Sequence, residues 1–305
     1  MLQNTTSLTG LDYILNGLMS RYKLRVPDVS AVIDAMIKEN IIATENEIEN
    51  DHIAFRTMGV PHLGIQSFEK IFLHYGYTKM DYYFFPEKKL NAYWYAPPSP
   101  KYPRIFLSEL RVNDLSEEAA EIIYKYTNKV TADPVDAIDL NDAAAVDNFL
   151  HSSLWQTPVL ADYRALAVES EYAAWVIYNR YYLNHFTISV HNLKEGFNTI
   201  ELFNNFLERN NFTLNNSGGK IKISGDGALQ QSSTVAEMIE AQFADGKTFT
   251  ISGSYVEFAE RKILNNFAHL NEDEINREHR REGFEANNAD KIFESTYSGQ
   301  TERKS

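Results

Sequence analysis

Two segments of the chain begin in the same way, and this repeat constrains the fold more than any other feature of the sequence. Residues 51–57 and 184–190 each place a histidine second in a short run rich in β-branched and aromatic residues, as β-strands are. Each run leads into an amphipathic helix, and each segment later closes on a strand that carries a glutamate, Glu109 in the first and Glu257 in the second. The repeat predicts a duplicated βαβββ module that offers one histidine and one glutamate per copy.

Hydrophobic periodicity and turn residues place the elements of both modules. The first module is predicted as a strand, a helix and three strands, over residues 52–57, 67–75, 82–85, 92–95 and 104–110. The second repeats this order over residues 185–190, 198–209, 220–223, 248–252 and 255–261. Thr234-Val235-Ala236-Glu237 is a capping-box pattern, so we expect an additional helix between the second and third strands of this copy.

The remaining segments surround the two modules. Apolar residues at helical spacing predict helices over 7–23 and 27–40, and further helices between the modules that include 141–151 and 163–182. We interpret residues 1–305 as a single α+β domain in which the two βαβββ modules form an incomplete barrel around a metal. Its predicted parts are a helical N-terminal layer (1–50), the first module (51–111), a helical insertion (112–183), the second module (184–262) and a C-terminal extension and tail (263–305).

Composition narrows the range of functions. The chain has 305 residues, of which 44% are hydrophobic and none is cysteine, so disulfides, thiolate metal ligands and a cysteine nucleophile are excluded. A formal net charge of −13 disfavours nucleic acid as a partner, because such binding depends on basic patches. The sequence shows neither an apolar run long enough to cross a membrane nor a secretory signal. We therefore expect a cytoplasmic protein without a membrane partner, whose oligomeric state stays open.

Three residues of the modules can form one metal site. Side chains alternate across a strand, so His52 and Arg56 share one face, and the faces that carry His185 and Glu257 can line the same cavity if the modules pair into one sheet. Two histidines and one carboxylate form a facial triad with open coordination positions, which suits non-haem Fe(II). Alternatively, the histidines are partly exposed or hydrogen-bonded, and Glu257 lies at the rim or pairs with Arg261.

Arg56 and Glu109 decide what such a site can do. Arg56 lies about 13 Å along the strand from His52, too far to touch the metal, but its long side chain can clamp a substrate carboxylate. The alternative for Arg56 is an ion pair with a nearby acid. A metal-binding Glu109 would give four protein ligands and a glyoxalase-type isomerase that uses Zn or Ni. An unused Glu109 leaves room for a chelating substrate and O₂.

Residues 230–233 directly precede the helix that is predicted at Thr234. The side chains of Gln231 and Ser233, together with free N–H groups at a helix N-terminus, can hold the anionic end of a substrate. A solvated loop with ordinary helix capping explains the same pattern.

Four motifs taken together resemble one known family. They are His52-x-x-x-Arg56-Thr57, Phe106-x-Ser108-Glu109-Leu110, Asn184-His185-x-Thr187 and Tyr255-Val256-Glu257-Phe258. From about residue 10 to 297 the chain is similar to the 2-oxoadipate dioxygenase/decarboxylase family, which is related to the vicinal oxygen chelate (glyoxalase) superfamily. The resemblance implies an Fe(II) site built from His52, His185 and Glu257, with Arg56 binding the 2-oxo acid. It also implies the family reaction, in which 2-oxoadipate and O₂ give 2-hydroxyglutarate and CO₂.

The resemblance extends to the C-terminal segment. The family's substrate loop matches residues 284–289, so Asn287 and Asn288 are candidate substrate contacts. Both stand where the resemblance implies smaller residues, which leaves the natural substrate open. Fe(II) is the expected metal, although Zn, Ni or Mn can occupy such a site in a purified protein. The alternatives to a 2-oxo acid dioxygenase/decarboxylase are a glyoxalase-like isomerase or lyase and a non-catalytic binding module.

Overall fold

The fold of residues 3–304, taken from a computed structural model, is built around one curled sheet of eight strands. The strands in chain order are β1 (Asn50–Met58), β2 (Thr78–Phe85), β3 (Leu90–Ala96), β4 (Arg104–Leu110), β5 (His185–Ser189), β6 (Lys222–Ile223), β7 (Leu229–Ser233), β8 (Met238–Gln242), β9 (Thr248–Ser252) and β10 (Tyr255–Arg261). The order across the sheet is β2-β3-β4-β1-β5-β10-β7-β6, and β8 and β9 form a separate hairpin.

The sheet consists of two halves with the same topology. In the first half, the parallel pair β1 and β4 is continued by antiparallel β3 and β2. In the second half, the parallel pair β5 and β10 is continued by antiparallel β7 and β6. A helix follows the first strand of each half, α3 (Ile65–His74) and α8 (Ile200–Arg209), and the halves join where β1 pairs antiparallel with β5. The predicted α+β class with two βαβββ modules in an incomplete barrel is confirmed.

The second module differs from its prediction around the inserted hairpin. Thr248–Ser252, predicted as the third strand of the module, pairs with Met238–Gln242 outside the main sheet. Leu229–Ser233 takes the place of the third strand instead. The helix predicted at Thr234 is wrong, because the backbone N–H of Thr234 donates to Val256 of β10 and continues the strand pairing rather than opening a helix.

The other helices precede, separate and follow the two halves. The predicted helix over 163–182 is two helices, because the chain bends at Ser170, whose hydroxyl accepts the Ala173 N–H and starts a new helix. The helices outside the two modules are α1 (Gln3–Arg25), α2 (Pro27–Lys38), α4 (Glu117–Thr127), α5 (Ala143–Leu150), α6 (Leu160–Glu169), α7 (Glu171–Asn179), α9 (Ala286–Phe293) and α10 (Ser298–Thr301). The assignment of the whole chain to one domain stays a prediction.

Neighbouring side chains of β1 point to opposite faces of the sheet, one toward α3 and one toward the barrel interior. Phe55 packs its ring against Phe68 and Phe72 of α3, with ring centroids 4.9 and 5.8 Å apart. Because neighbouring side chains of a strand point to opposite faces, His52 and Arg56 lie on the other, inward face. Burial of the phenylalanine core therefore fixes which side of β1 faces the barrel interior.

The C-terminal extension crosses the open side of the barrel. Residues 262–285 run mainly as loops with short 3₁₀ turns, and α9 follows and contacts β2, β6 and β7. This placement puts one short amphipathic helix over the inward faces of both halves. Among the described residues, no helix combines the length and the apolar character needed to cross a membrane.

Candidate metal centre

His52, His185 and Glu257 meet inside the barrel. They come from β1, β5 and β10, which are neighbours in the sheet, and all three side chains are buried. The two Nε2 atoms are 3.3 Å apart, and the Glu257 carboxylate oxygens lie 3.4 Å from His52 Nε2 and 3.1 Å from His185 Nε2. The ligand atoms of the three residues thus lie within 4.8 Å of one another.

These distances fit a single divalent ion. Ligand atoms that each lie about 2.0–2.2 Å from one ion are separated from one another by about 3.0–3.5 Å. The two histidines point Nε2 and the glutamate points its carboxylate at the same place, which is the donor set of a facial triad. The residues present therefore fit a metal with open coordination positions, whose identity the donor set does not determine.

Asp51 orients the first histidine. Its Oδ1 lies 2.7 Å from His52 Nδ1, so that nitrogen carries the proton and Nε2 keeps its lone pair. Arg261 and Arg104 in turn bind Asp51, with Nε and Nη1 at 2.6 and 3.2 Å from Oδ2. All four side chains are buried, which makes this network part of the barrel interior.

His185 has a weaker partner. Its Nδ1 lies 3.2 Å from Oδ1 of Asn184, a neutral acceptor in the position that Asp51 has beside His52. The amide nitrogen of Asn184 is buried without a hydrogen-bond partner. The two histidines therefore differ in how firmly their rings are held.

The electrostatics of the site follow from burial and from the enclosed carboxylates. Burial lowers the pKa of His185 to about 3. Burial also lowers the pKa of His52, but Glu257 and Asp51 outweigh it and raise that pKa above its ordinary value. Burial raises the pKa of Glu257, but His52 and His185 outweigh it and hold that pKa below its usual range. An ionised Glu257 and a neutral His185 are the forms that bind a metal.

The carboxylate of Glu257 is also held by neighbours on the second half. Gln231 of β7 donates from Nε2 to Glu257 Oε1 at 2.6 Å, and Asn288 of α9 donates to Gln231 Oε1 at 3.0 Å. Gln231 and Asn288, two of the predicted substrate residues, thus support the glutamate, and Gln231 also lines the small cavity beside the three ligands. Their predicted contacts with substrate stay predictions. Sequence reasoning assigned Gln231 to a helix N-terminus, whereas the structure places it on a strand.

Ser233 and Asn287 differ in their distance from the three ligands: Ser233 stands directly opposite Glu257 in the pairing of β7 with β10, and Asn287 lies at the surface. Ser233 is buried, and its hydroxyl pairs with that of Ser295 at 2.8 Å. Asn287 is exposed on the outer side of α9, where it lines a surface cleft together with Lys222. Their predicted contacts with substrate stay predictions.

Arg56 is buried in an aromatic setting without an acidic partner. Its Nη1 donates to Thr296 Oγ1 at 2.9 Å and its Nη2 to the Phe293 carbonyl at 3.0 Å. The rings of Tyr172 and Trp175 lie about its guanidinium at 5.0 and 5.1 Å. Nε has no hydrogen-bond partner, and within residues 3–304 no carboxylate is paired with this arginine, so the alternative ion pair is not formed.

Glu109 does not reach the metal centre. It accepts the Ile65 N–H at 2.8 Å at the start of α3, on the outer face of β4. The strand register explains this. In the second half, the residue two positions after His185 is Thr187, which pairs with Glu257. In the first half, the residue two positions after His52 is Ala54, which pairs with Phe106. The true counterpart of Glu257 is therefore Phe106, so the four-ligand arrangement with Glu109 is not present.

Apolar side chains close the cavity beside the three ligands. The space between them measures about 20 Å³, which is about the volume of a single water. Phe284 packs edge-on against the His52 ring at a centroid distance of 4.7 Å. The resemblance placed Phe284 and Ala289 in a substrate loop, and the apolar pair at 292–293 within a polar C-terminal segment was a further signal, but the sequence did not identify Phe106 as part of the wall. The apolar wall residues are Phe106, Phe284, Ala289, Ile292 and Phe293.

Comparison with known proteins decides the family. The profile of the 2-oxoadipate dioxygenase/decarboxylase family, which also carries the label HGLS, matches residues 14–273. The chain belongs to this family. The match spans both halves of the sheet and includes all three candidate metal ligands, so the predicted resemblance is confirmed.

Similar proteins include two from plants and one solved structure. The chloroplastic 2-oxoadipate dioxygenase/decarboxylase of Arabidopsis thaliana is 43% identical over 302 residues, which cover 95% of this chain and 78% of that protein. The chloroplastic/amyloplastic enzyme of Oryza sativa subsp. japonica is 45% identical over 265 residues, covering 84% of this chain and 71% of that protein. The crystal structure of the Oryza sativa hydroxyglutarate synthase in complex with 2-oxoadipate is 40% identical, with a TM-score of 0.86, and covers 98% of this chain and 95% of that one.

The predicted cytoplasmic location is wrong in the light of these relatives. Both plant proteins are named as plastid proteins, chloroplastic in one case and chloroplastic/amyloplastic in the other. The prediction rested on the lack of a recognisable secretory signal and on the lack of cysteine. Neither observation distinguishes the cytoplasm from the interior of an organelle, because both compartments can keep thiols reduced.

Proposed function

We propose that this protein is a metal-dependent dioxygenase/decarboxylase that converts a 2-oxo dicarboxylic acid such as 2-oxoadipate into a 2-hydroxy acid and CO₂. The observation that carries the proposal is the convergence of His52, His185 and Glu257 on one point, in a chain that belongs to the 2-oxoadipate dioxygenase/decarboxylase family. The Oryza sativa relative with 2-oxoadipate bound supports this substrate class.

The metal ligands in this proposal are His52 Nε2, His185 Nε2 and the carboxylate of Glu257, and the metal is Fe(II). Bound Fe(II) supplies the Lewis acidity and the redox chemistry that a reaction with O₂ requires. Three protein ligands leave positions for a chelating 2-oxo acid, whereas a fourth would crowd them. The position that a fourth ligand would need is occupied by Phe106, which favours the oxygenase over the glyoxalase-like isomerase.

Arg56 binds the substrate carboxylate in this proposal. A buried guanidinium without a carboxylate partner and with a free Nε is costly in the absence of an anion, and it becomes favourable when one arrives. Its present partners, Thr296 and the carbonyl of Phe293, belong to the C-terminal segment. A substrate that binds Arg56 therefore also contacts the segment that covers the site.

The covering segment controls access and excludes water. A cavity of about 20 Å³ is far below the roughly 300 Å³ or more that small-molecule sites occupy. Phe284 and Phe293 must therefore move outward to admit substrate. Their return buries the reacting groups among apolar side chains and keeps bulk water from the site.

Oxygen consumption with matched substrates tests the proposal. The protein is loaded anaerobically with Fe(II) and then given O₂ and 2-oxoadipate, and we expect O₂ uptake with release of CO₂ in equal amounts and formation of 2-hydroxyglutarate. The monocarboxylate 2-oxohexanoate, which has the same chain length, serves as the control for the second carboxylate and should react far more slowly. Absence of O₂ uptake with every 2-oxo dicarboxylate would reject the oxygenase.

A further inference from the structure

Asp51, the residue before His52, has both carboxylate oxygens bound by buried side chains. Its Oδ1 lies 2.7 Å from His52 Nδ1 and 2.9 Å from Arg261 Nη2, and its Oδ2 lies 2.6 Å from Arg261 Nε and 3.2 Å from Arg104 Nη1. Four contacts thus fix both oxygens of one buried side chain. The carboxylate cannot rotate without breaking a charged hydrogen bond.

This arrangement sets the tautomer and the ring angle of His52. An ionised carboxylate at Nδ1 requires the proton there, which leaves the lone pair of Nε2 directed at His185 and Glu257. Arg104 and Arg261 favour the ionised form of Asp51. The same two arginines therefore determine indirectly which nitrogen of His52 is available to a metal.

The network continues into the segment that covers the site. Arg104 Nε binds Glu282 at 2.6 Å, and Arg261 Nη1 binds the Gly283 carbonyl at 2.7 Å. The next residue, Phe284, packs on the ring of His52. One set of charged contacts thus connects the metal-facing imidazole with the residue that covers it.

We propose that Asp51 is the positioning residue of the metal centre, which orients His52 Nε2 toward the metal and, through Arg104 and Arg261, fixes the covering segment over it. This inference rests on the metal centre proposed above. Asp51 does not touch the metal or the substrate, and it acts through His52. Outer carboxylates of this kind commonly change metal affinity by about 10–100-fold.

The second histidine supplies an internal comparison. Asn184 precedes His185 as Asp51 precedes His52, but its amide is neutral, stands 3.2 Å from the imidazole and leaves its nitrogen without a partner. A role for Asp51 that was confined to neutralising two buried arginines would make no demand on His52. Positioning requires the contact with Nδ1 as well.

Metal affinity of Asp51→Asn against a matched control tests the proposal. The probe is Zn(II) alone, measured by competition with a chromophoric chelator in the apo-protein, and we expect the affinity of Asp51→Asn to fall about 10–100-fold. The control is Glu282→Gln, which removes a partner of Arg104 but leaves the contact between Asp51 and His52, and it should keep the affinity of the parent protein. Equal affinities for parent and Asp51→Asn, or an equal loss in both variants, would overturn the role of Asp51.

A measurement on the unaltered protein covers the case in which Asp51→Asn fails to fold. In ¹⁵N-histidine-labelled, Zn(II)-loaded protein, we expect His52 to show a protonated Nδ1 with a strongly downfield proton and a metal-bound Nε2. His185 should show the same tautomer with a less shifted proton, because its acceptor is an amide. A protonated Nε2 or a metal-bound Nδ1 on His52 would contradict the inference. Failure of the unaltered protein to bind Zn(II) at all would instead reject the metal centre itself, and the inference with it.

Discussion

Trp94 and Phe106 of the first half of the sheet occupy the positions that Ser233 and Glu257 occupy in the second half, as the paired strands of each half show. Further out, Tyr83 stands where the second half has Lys222. The two halves thus share one topology but differ in the chemistry of these matched positions. The first half has aromatic rings there, and the second half has a hydroxyl, an amine and the carboxylate.

The difference explains how a repeated fold can build an asymmetric site. Each half contributes one histidine from the first residues of its inner strand, so the imidazole pair follows the repeat. The carboxylate comes from the second half alone, and the first half places Arg56 where the second has Ser189. In the proposed function, the metal and the substrate anion therefore bind on different sides of the site.

The largest effect should come from removing the single carboxylate. We expect Glu257→Gln to abolish metal retention and turnover, because the amide keeps the shape but cannot supply the negative charge that favours a divalent ion. Metal content after dialysis against a weak chelator measures this. The control is Glu109→Gln, which alters the glutamate of β4 that accepts the Ile65 N–H and should keep the metal. Loss of metal in Glu109→Gln would restore that glutamate to the site and break the comparison.

The next effect should come from Arg56, which has no counterpart in the second half. We expect Arg56→Met to raise KM for 2-oxoadipate about 10–100-fold, since a charge-assisted hydrogen bond contributes about 1.5–3 kcal/mol, while metal content stays unchanged. Arg56→Lys keeps the charge but not the planar fork, so it should recover only part of the loss. Steady-state kinetics on protein with measured metal content give the answer, and an unchanged KM in Arg56→Met would remove the arginine from the substrate site.

The smallest effect on the site itself should come from Lys222, the counterpart of Tyr83, whose titration changes the stability of the fold instead. Burial lowers the pKa of Lys222 to about 8, below its ordinary value near 10.5. Between these two values the unfolded chain binds more protons than the folded one, so this group makes stability rise with pH from about 8 to about 10.5. The full rise is at most about 3.4 kcal/mol, because one pKa unit corresponds to about 1.36 kcal/mol.

Comparison of chemical denaturation across this pH range tests the prediction for Lys222. Lys222→Met should lack the rise, so the free energy of unfolding of the parent minus that of the variant should become steadily more positive from about pH 8 to about pH 10.5. The contributions of other titrating groups to the free energy of unfolding cancel in this difference, because both proteins contain those groups. A constant difference from pH 8 to 10.5 would show that Lys222 is charged in the fold with an ordinary affinity for its proton.

Strand alternation and the repeat were sufficient to predict that His52, His185 and Glu257 come together, and their binding of a metal stays a prediction. His52, His185 and Glu257 each occupy an inward position on a strand whose neighbours form the core, so local pattern and tertiary structure agree. Glu109 was misleading, because the same count of glutamates per module concealed a shift to the opposite face of β4. Only the pairing register between β1 and β4 shows that Phe106 is the counterpart of Glu257, and the sequence of one strand does not determine that register.

Long-range partners explain what the sequence left open. Thr248–Ser252 has the composition of a sheet strand, but its partner is a second insertion strand, so strand propensity could not distinguish hairpin from sheet. The contacts of Asp51 with Arg104 and Arg261 join residues far apart in the chain, as does the packing of Phe284 on His52. The hydrophobic pattern of residues 263–283 does not predict that the following segment, which begins with Phe284, covers the metal centre.

Anomalous diffraction from crystals of the metal-loaded protein tests the central claim most directly, namely that both halves hold the metal but only the second supplies a carboxylate. We predict one peak about 2.0–2.2 Å from His52 Nε2, His185 Nε2 and a carboxylate oxygen of Glu257, with Phe106 closing the opposite side and Glu109 still bound to the N–H of Ile65. A metal coordinated by Glu109, or by only one of the two histidines, would contradict the account.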